Sequence, residues 1–141
     1  MSLNEKLKND SYQLGRIDNQ PLLLMNNSLV PWFIIVPNTT EIELYRLDAL
    51  ERSKLERNID LLSEHIIRRY SSEKLNIATI GNIVHQLHIH VIGRTTNDYC
   101  WPDVVWGQKQ KKPYSKDEVI MTIDNLKKDI DVFVENNHSY E

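Results

Sequence analysis

Apolar and polar positions alternate strictly from Gln86 to Val91 in the run Gln86-Leu87-His88-Ile89-His90-Val91-Ile92-Gly93-Arg94. Side chains in a strand alternate between its two faces, so the run predicts a strand with Gln86, His88 and His90 in one row. Leu87, Ile89 and Val91 then face a core. Similar patterns predict strands over Tyr12–Ile17 and Pro21–Met25, joined by the turn residues Asp18-Asn19-Gln20, and a further strand over Leu75–Ile80. Trp32 to Val36 is a continuous apolar run closed by Pro37, as in a strand covered on both faces. Leu55, Ile59, Leu62 and Ile66 recur every three or four residues and form one stripe of a long helix running from an Asp48 N-cap to about Tyr70. Val119, Ile123, Leu126, Ile130 and Phe133 repeat in the same way behind the capping box Ser115–Glu118, predicting a last helix over Ser115–Glu135. Asn4–Asp10 is read as a short helix. The last two predicted strands lie close in sequence and are expected to pair antiparallel.

Length and composition bound the class. With 141 residues, 40% hydrophobic and 26% charged, the chain suits one globular domain with a real core. A net charge of −3 argues against broad capture of nucleic acid, leaving at most a local basic patch at Lys109, Lys111 and Lys112. No apolar run approaches a membrane span, and the polar start lacks the apolar stretch of a signal peptide. Cys100 is the only cysteine, which excludes an internal disulfide and a multi-cysteine zinc site. The expected location is cytoplasmic. Cys100–Pro113, with Trp101 and Trp106, has no clear period. It reads either as a loop over a core edge or as a wall of a site.

Two imidazoles and an amide in one row suit an anion or a metal better than a half-buried surface. A metal site would use His85, His88 and His90, but His85 has the opposite parity and no carboxylate follows the pair. Hydrogen-bonded structural histidines are the bland reading. Nucleophilic catalysis at phosphorus is the third. A neutral imidazole attacks a phosphoryl group without first losing a proton and forms a phosphoramidate that water can cleave. Donors in the same row would balance the phosphate charge.

The segment Gly81-Asn82-Ile83-Val84-His85-Gln86-Leu87-His88-Ile89-His90-Val91-Ile92-Gly93-Arg94 resembles the signature of the histidine triad (HIT) superfamily. Trp32–Pro37 resembles its central strand ending in Val-Pro. Trp101, Pro102, Val105, Trp106 and Gly107 resemble a bacterial branch with Q-x-H-x-H in the motif. The resemblance spans roughly Tyr12 to Gly107. It implies that His88 is the nucleophile and that His90 contacts phosphate. Gln86 takes the place of the first histidine, and Asn82 that of a phosphate or leaving-group contact. Asn26 or Asn27 lies near a ribose-binding position, where turn chemistry explains either residue equally well. Gln86 departs from the commoner histidine and cannot carry a proton. Ile83 removes a hydroxyl that many relatives have.

The expected fold is α+β and HIT-like, an antiparallel sheet of about five strands with one long helix and a C-terminal helix. It forms one domain over 1–141, with its core at 12–107 and its last helix at 115–135. The expected function is hydrolysis of a nucleoside phosphoramidate or dinucleoside polyphosphate, or nucleotidyl transfer, through a nucleotidyl-His88 intermediate. The alternative is a nucleotide-binding protein with little turnover. A purine nucleotide is the expected partner, with no cofactor, metal, nucleic acid or membrane. The resemblance also implies a homodimer, with the long helix as the candidate contact surface.

Overall fold

The computed structural model describes residues 1–136. Helix α1, Glu5–Asp10, is capped by the Asn4 side chain and leads directly into strand β1, Ser11–Ile17. β1 turns back into β2, Gln20–Met25, and β3 follows at Trp32–Ile35. Asp18 in the tight turn takes a positive φ of 54°, a conformation aspartate tolerates better than most residues. Helix α2, Ala49–Tyr70, starts from Asp48, whose side chain accepts from the Glu51 amide, and ends at Ser71 in the left-handed conformation. β4, Lys74–Ala78, and β5, Ile89–Arg94, complete the centre of the sheet.

The chain then runs through turns to α3, Lys116–Asp129, and closes in β6, Phe133–Glu135. The capping box at Ser115 and Glu118 is formed as its sequence predicts. The last helix is shorter than expected. It ends at Asp129, and the chain turns extended at Ile130. Phe133 continues the apolar series because it is buried as a strand residue, pairing with Ile17 of β1. This adds a strand to the expected count of about five. The sheet is six-stranded in the order β4-β5-β3-β2-β1-β6, and every pairing is antiparallel. β6 fits against β1 because residue 15 is glycine: a Cβ there would lie 2.0 Å from the carbonyl oxygen of Val134.

The sheet has two covered faces. On one, Leu22, Leu24, Phe33, Ile35, Ile89 and Val91 pack against Leu55, Leu62 and Ile66 of α2 and against Val119, Ile123 and Leu126 of α3. Gly93 lets α2 approach, since a Cβ would meet Ile66 Cγ2 at 2.6 Å and Ser72 Oγ at 2.3 Å. On the other, Leu23, Trp32, Ile34 and Ile92 pack under Leu7 of α1 and Val105 of the long loop. Among the described residues no helix is long and apolar enough to cross a membrane.

Candidate active site

The alternation around the histidines is only half realised as a strand. β5 begins at Ile89, so Gln86 and His88 lie before it. The partners run out at this point. Ile89 pairs with Ile35, the last residue of β3, and His90 with Ala78, the last residue of β4. Pro37, just beyond, has no N–H to extend the ladder. His90 therefore projects from the second face of the sheet, with Ile92 and Arg94 two and four residues on.

His88 and His90 are nonetheless brought together, with ring centroids 5.0 Å apart, and both are buried. Nδ1 of His88 lies 2.7 Å from the main-chain carbonyl oxygen of Gln86. The Trp32 indole N–H donates to Nδ1 of His90 at 2.9 Å. The Trp106 ring stands edge-on to His90 at 5.2 Å and to Trp32 at 5.7 Å. Burial, and then the neighbouring His88, lower the pKa of His90 from 6.5 to about 4. Desolvation disfavours the cationic ring, and a like charge adds to it. His90 is neutral at pH 7.

The Gln86 side chain does not join this row. Its amide oxygen accepts from the main-chain N–H of Asn4 at 2.8 Å, and its amide nitrogen donates to the Ser2 carbonyl at 3.1 Å. The expected shared face of Gln86, His88 and His90 is thus corrected: the amide fastens the N-terminal segment. A primary amide can make both bonds because it carries a donor and an acceptor side by side.

A cleft of about 570 Å³ lies beside Trp32 and Trp106, the two rings that pack on His90, while His88 and His90 themselves do not line it. Its lining includes Asn26, Asn27, Trp32, Ile83, Trp106 and Lys111. Both asparagines have structural tasks as well as cleft positions. Asn26 Oδ1 accepts from the Tyr114 N–H at 2.9 Å, and Asn27 Oδ1 from the N–H groups of Leu29 and Lys112. These bonds pin the end of the long loop to the turn after β2. Asn82 is exposed and lines a second cleft with Glu43, Thr79 and His85. Its neighbour Ile83 lines the first, so the segment around them is a ridge between two clefts.

Two features escape the sequence reading. Trp32 reads there only as strand core, yet its indole N–H is the hydrogen-bond partner of His90. Arg94 stands there only as the last residue of the motif segment, yet it is 1% exposed. Its guanidinium binds Asp98 at 2.7 and 3.0 Å and Asn76 at 2.9 Å, with Trp101 stacked 5.5 Å away. Asp98 in turn accepts from the N–H groups of Thr95, Cys100 and Trp101. The pair organises the start of the loop that delivers Trp106. That loop covers the core through Val105 and lines the cleft through Trp106. Among the described residues no three His, Cys, Asp or Glu side chains are grouped to hold a metal ion.

Comparison with known proteins gives a consistent set. Residues 6–97 match the HIT domain model. The chain is similar to a histidine triad protein from Bradyrhizobium japonicum, at 34% identity and a TM-score of 0.86, covering 92% of this chain and 97% of that one. It is also similar to a histidine triad (HIT) protein from Sinorhizobium meliloti, at 32% identity and a TM-score of 0.87, covering 92% and 96%. A histidine triad protein from Marinobacter aquaeolei is 32% identical, with a TM-score of 0.88 and coverage of 94% and 98%. No curated protein matches.

Proposed function

The chain belongs to the HIT domain family, and on that premise we propose that it is a nucleotide hydrolase or nucleotidyl transferase acting through a nucleotidyl-His88 intermediate. The observation that carries this reading is the 2.7 Å contact between Nδ1 of His88 and the carbonyl oxygen of Gln86. A carbonyl only accepts, so Nδ1 carries the proton and Nε2 keeps its lone pair. Nε2 attacks the α-phosphorus, an N–P bond forms, and the bond from phosphorus to the leaving group breaks with its electron pair on that group. Water then attacks the same phosphorus. The N–P bond breaks, its electron pair returns to Nε2, and the proton of the water goes to solvent. The Gln86 carbonyl stabilises the cationic ring of the intermediate through Nδ1–H.

His90 holds a phosphoryl oxygen in this scheme. The substrate is a purine nucleotide with an extended phosphate, such as a dinucleoside polyphosphate. The cleft beside Trp106 takes the nucleoside, with Asn26 and Asn27 at the ribose, and Asn82 meets the leaving group from the second cleft. Gln86 acts through its main-chain carbonyl and through its grip on the N-terminal segment. The acidic balance of the chain and its single cysteine suit a cytoplasmic enzyme that works as a homodimer on small nucleotides and not on nucleic acid. The amide at position 86 favours one further reading, a nucleotide-binding protein with little turnover, because that side chain has no proton to transfer.

Intact mass spectrometry after mixing with diadenosine polyphosphate separates the two. An AMP-sized adduct, with AMP release that disappears in His88→Ala, is the expected result. Bound nucleotide without adduct or release would leave the binding protein.

A further inference from the structure

The partner of His90 limits what this site can do with protons. The Trp32 Nε1 lies 2.9 Å from Nδ1 of His90, and an indole nitrogen is only ever a donor. Nδ1 is therefore the bare nitrogen, and the proton of the neutral ring is on Nε2. Protonating Nδ1 would aim two N–H groups at each other in a buried space. We infer that Trp32 is a positioning residue that locks His90 as a neutral Nε2–H donor, so that the site acts on nucleotidyl substrates whose leaving group departs as a stabilised oxyanion and takes no proton from His90.

The inference rests on the nucleotidyl-transfer reading for its second half and on geometry alone for its first. Burial and the charge of His88 hold the His90 ring neutral well into the acid range. The ring neighbours of His90 are His88, Trp32 and Trp106, with no carboxylate among them to stabilise a cation. The other motif neighbour, Gln86, is engaged with Ser2 and Asn4. Of the titratable groups lining the cleft beside Trp32 and Trp106, Lys6, Asp10 and Lys111, the first two form an ion pair at 2.8 Å. Glu43 and His85 line the other cleft, beside Asn82. When His88 Nε2 bonds to phosphorus, the departing atom takes the electron pair of the broken bond. A phosphate or phenolate oxygen carries that pair unaided, whereas an alkylamine or alkoxide needs a proton at the same moment. The Nε2–H of His90 hydrogen-bonds to a phosphoryl oxygen and keeps its proton.

Two measurements test this. Nitrogen NMR of labelled protein reads the tautomer of His90 directly, without substrate. The expected result is a single Nε2–H form in the wild type, lost in Trp32→Phe and retained in Trp32→His, which restores a ring N–H. An Nδ1–H form or a tautomer mixture in the wild type would overturn the role of Trp32. The second measurement is the single-turnover rate of adduct formation with nitrophenyl, chlorophenyl and phenyl esters of AMP and with an alkylamine phosphoramidate. With no proton from His90 the rate falls by roughly 100-fold or more from the nitrophenyl to the phenyl ester, the scale of an absent general acid, and the amidate gives no adduct. Equal rates across the series would overturn the leaving-group limit. No adduct from any substrate, with the tautomer as expected, would instead overturn nucleotidyl transfer and the leaving-group limit with it.

Discussion

Arg94 and Asp98 are both almost fully buried and bound to each other at two points. Burial alone would raise the Asp98 carboxyl, but its hydrogen bonds with Arg94 and with the N–H groups of Thr95 and Cys100, together with the Arg94 charge, outweigh this and the group stays below its usual range. Removing one partner leaves the other charge unpaired inside the protein, which costs about 3–5 kcal/mol. Asp98→Ala is therefore expected to lower stability by that amount in urea unfolding, and a loss under 1 kcal/mol would contradict the buried pair. The same change frees the turn N–H groups of Thr95, Cys100 and Trp101, so nucleotide affinity should fall as Trp106 loses its place. At this scale the sequence was partly legible. His88 and His90 stood out because two polar rings interrupt an apolar strand pattern. Trp32 and Arg94 did not, since a tryptophan in an apolar run and an arginine after one carry no local sign of the partner they meet.

At the scale of elements, period and capping located most boundaries. Asp48 and Ser115 cap their helices where their side chains predicted. The misses arose where a partner strand, absent from any local pattern, decided the outcome. β5 stops short of Gln86 because β3 and β4 end, and β6 exists because β1 has a free edge beside Gly15. β4 presents the opposite case. It pairs only with β5, so its outer edge is open, and Ile77 on it is 48% exposed. Beside it runs a groove whose lining includes Leu44, Leu55, Ile59, Ile77 and Ile89, with Arg52 and Glu56 among the polar groups. Such an edge invites pairing with another chain, and a second copy would bury this apolar strip between α2 and β4. Light scattering is expected to give a two-chain mass for the wild type and a one-chain mass for Ile77→Lys. A wild-type monomer at micromolar concentration would refute the homodimer.

For the molecule as a whole, His90 and His65, two of the three buried histidines among the described residues, set the response to acid. His90 drops from 6.5 to about 4. His65, on the other face of the sheet, is lowered by burial despite its 2.7 Å contact with Asp129. In each case the unfolded chain binds the proton more readily than the folded one, so stability is full above pH 6.5 and declines as the pH falls below it. For His90 the decline amounts to roughly 3 kcal/mol by pH 4. Urea midpoints at pH 7.5, 6 and 5 should therefore fall steadily, before the lowered carboxyls of Asp98 and Asp129 begin to titrate. A flat response from 7.5 to 5 would mean that neither ring is held neutral. The fold class was legible because the apolar stripes and runs sum to one layered core. The acid response was not, because it depends on what covers each imidazole.

The chain has three tryptophans. Trp32 and Trp106 sit against His90, and Trp101 lies over Arg94, all on the side of the sheet that carries the histidines. The helical side has none. The tryptophan emission of this protein, excited where its six tyrosines do not absorb, thus reports from this side of the sheet alone, and an unlabelled ligand entering the cleft announces itself there.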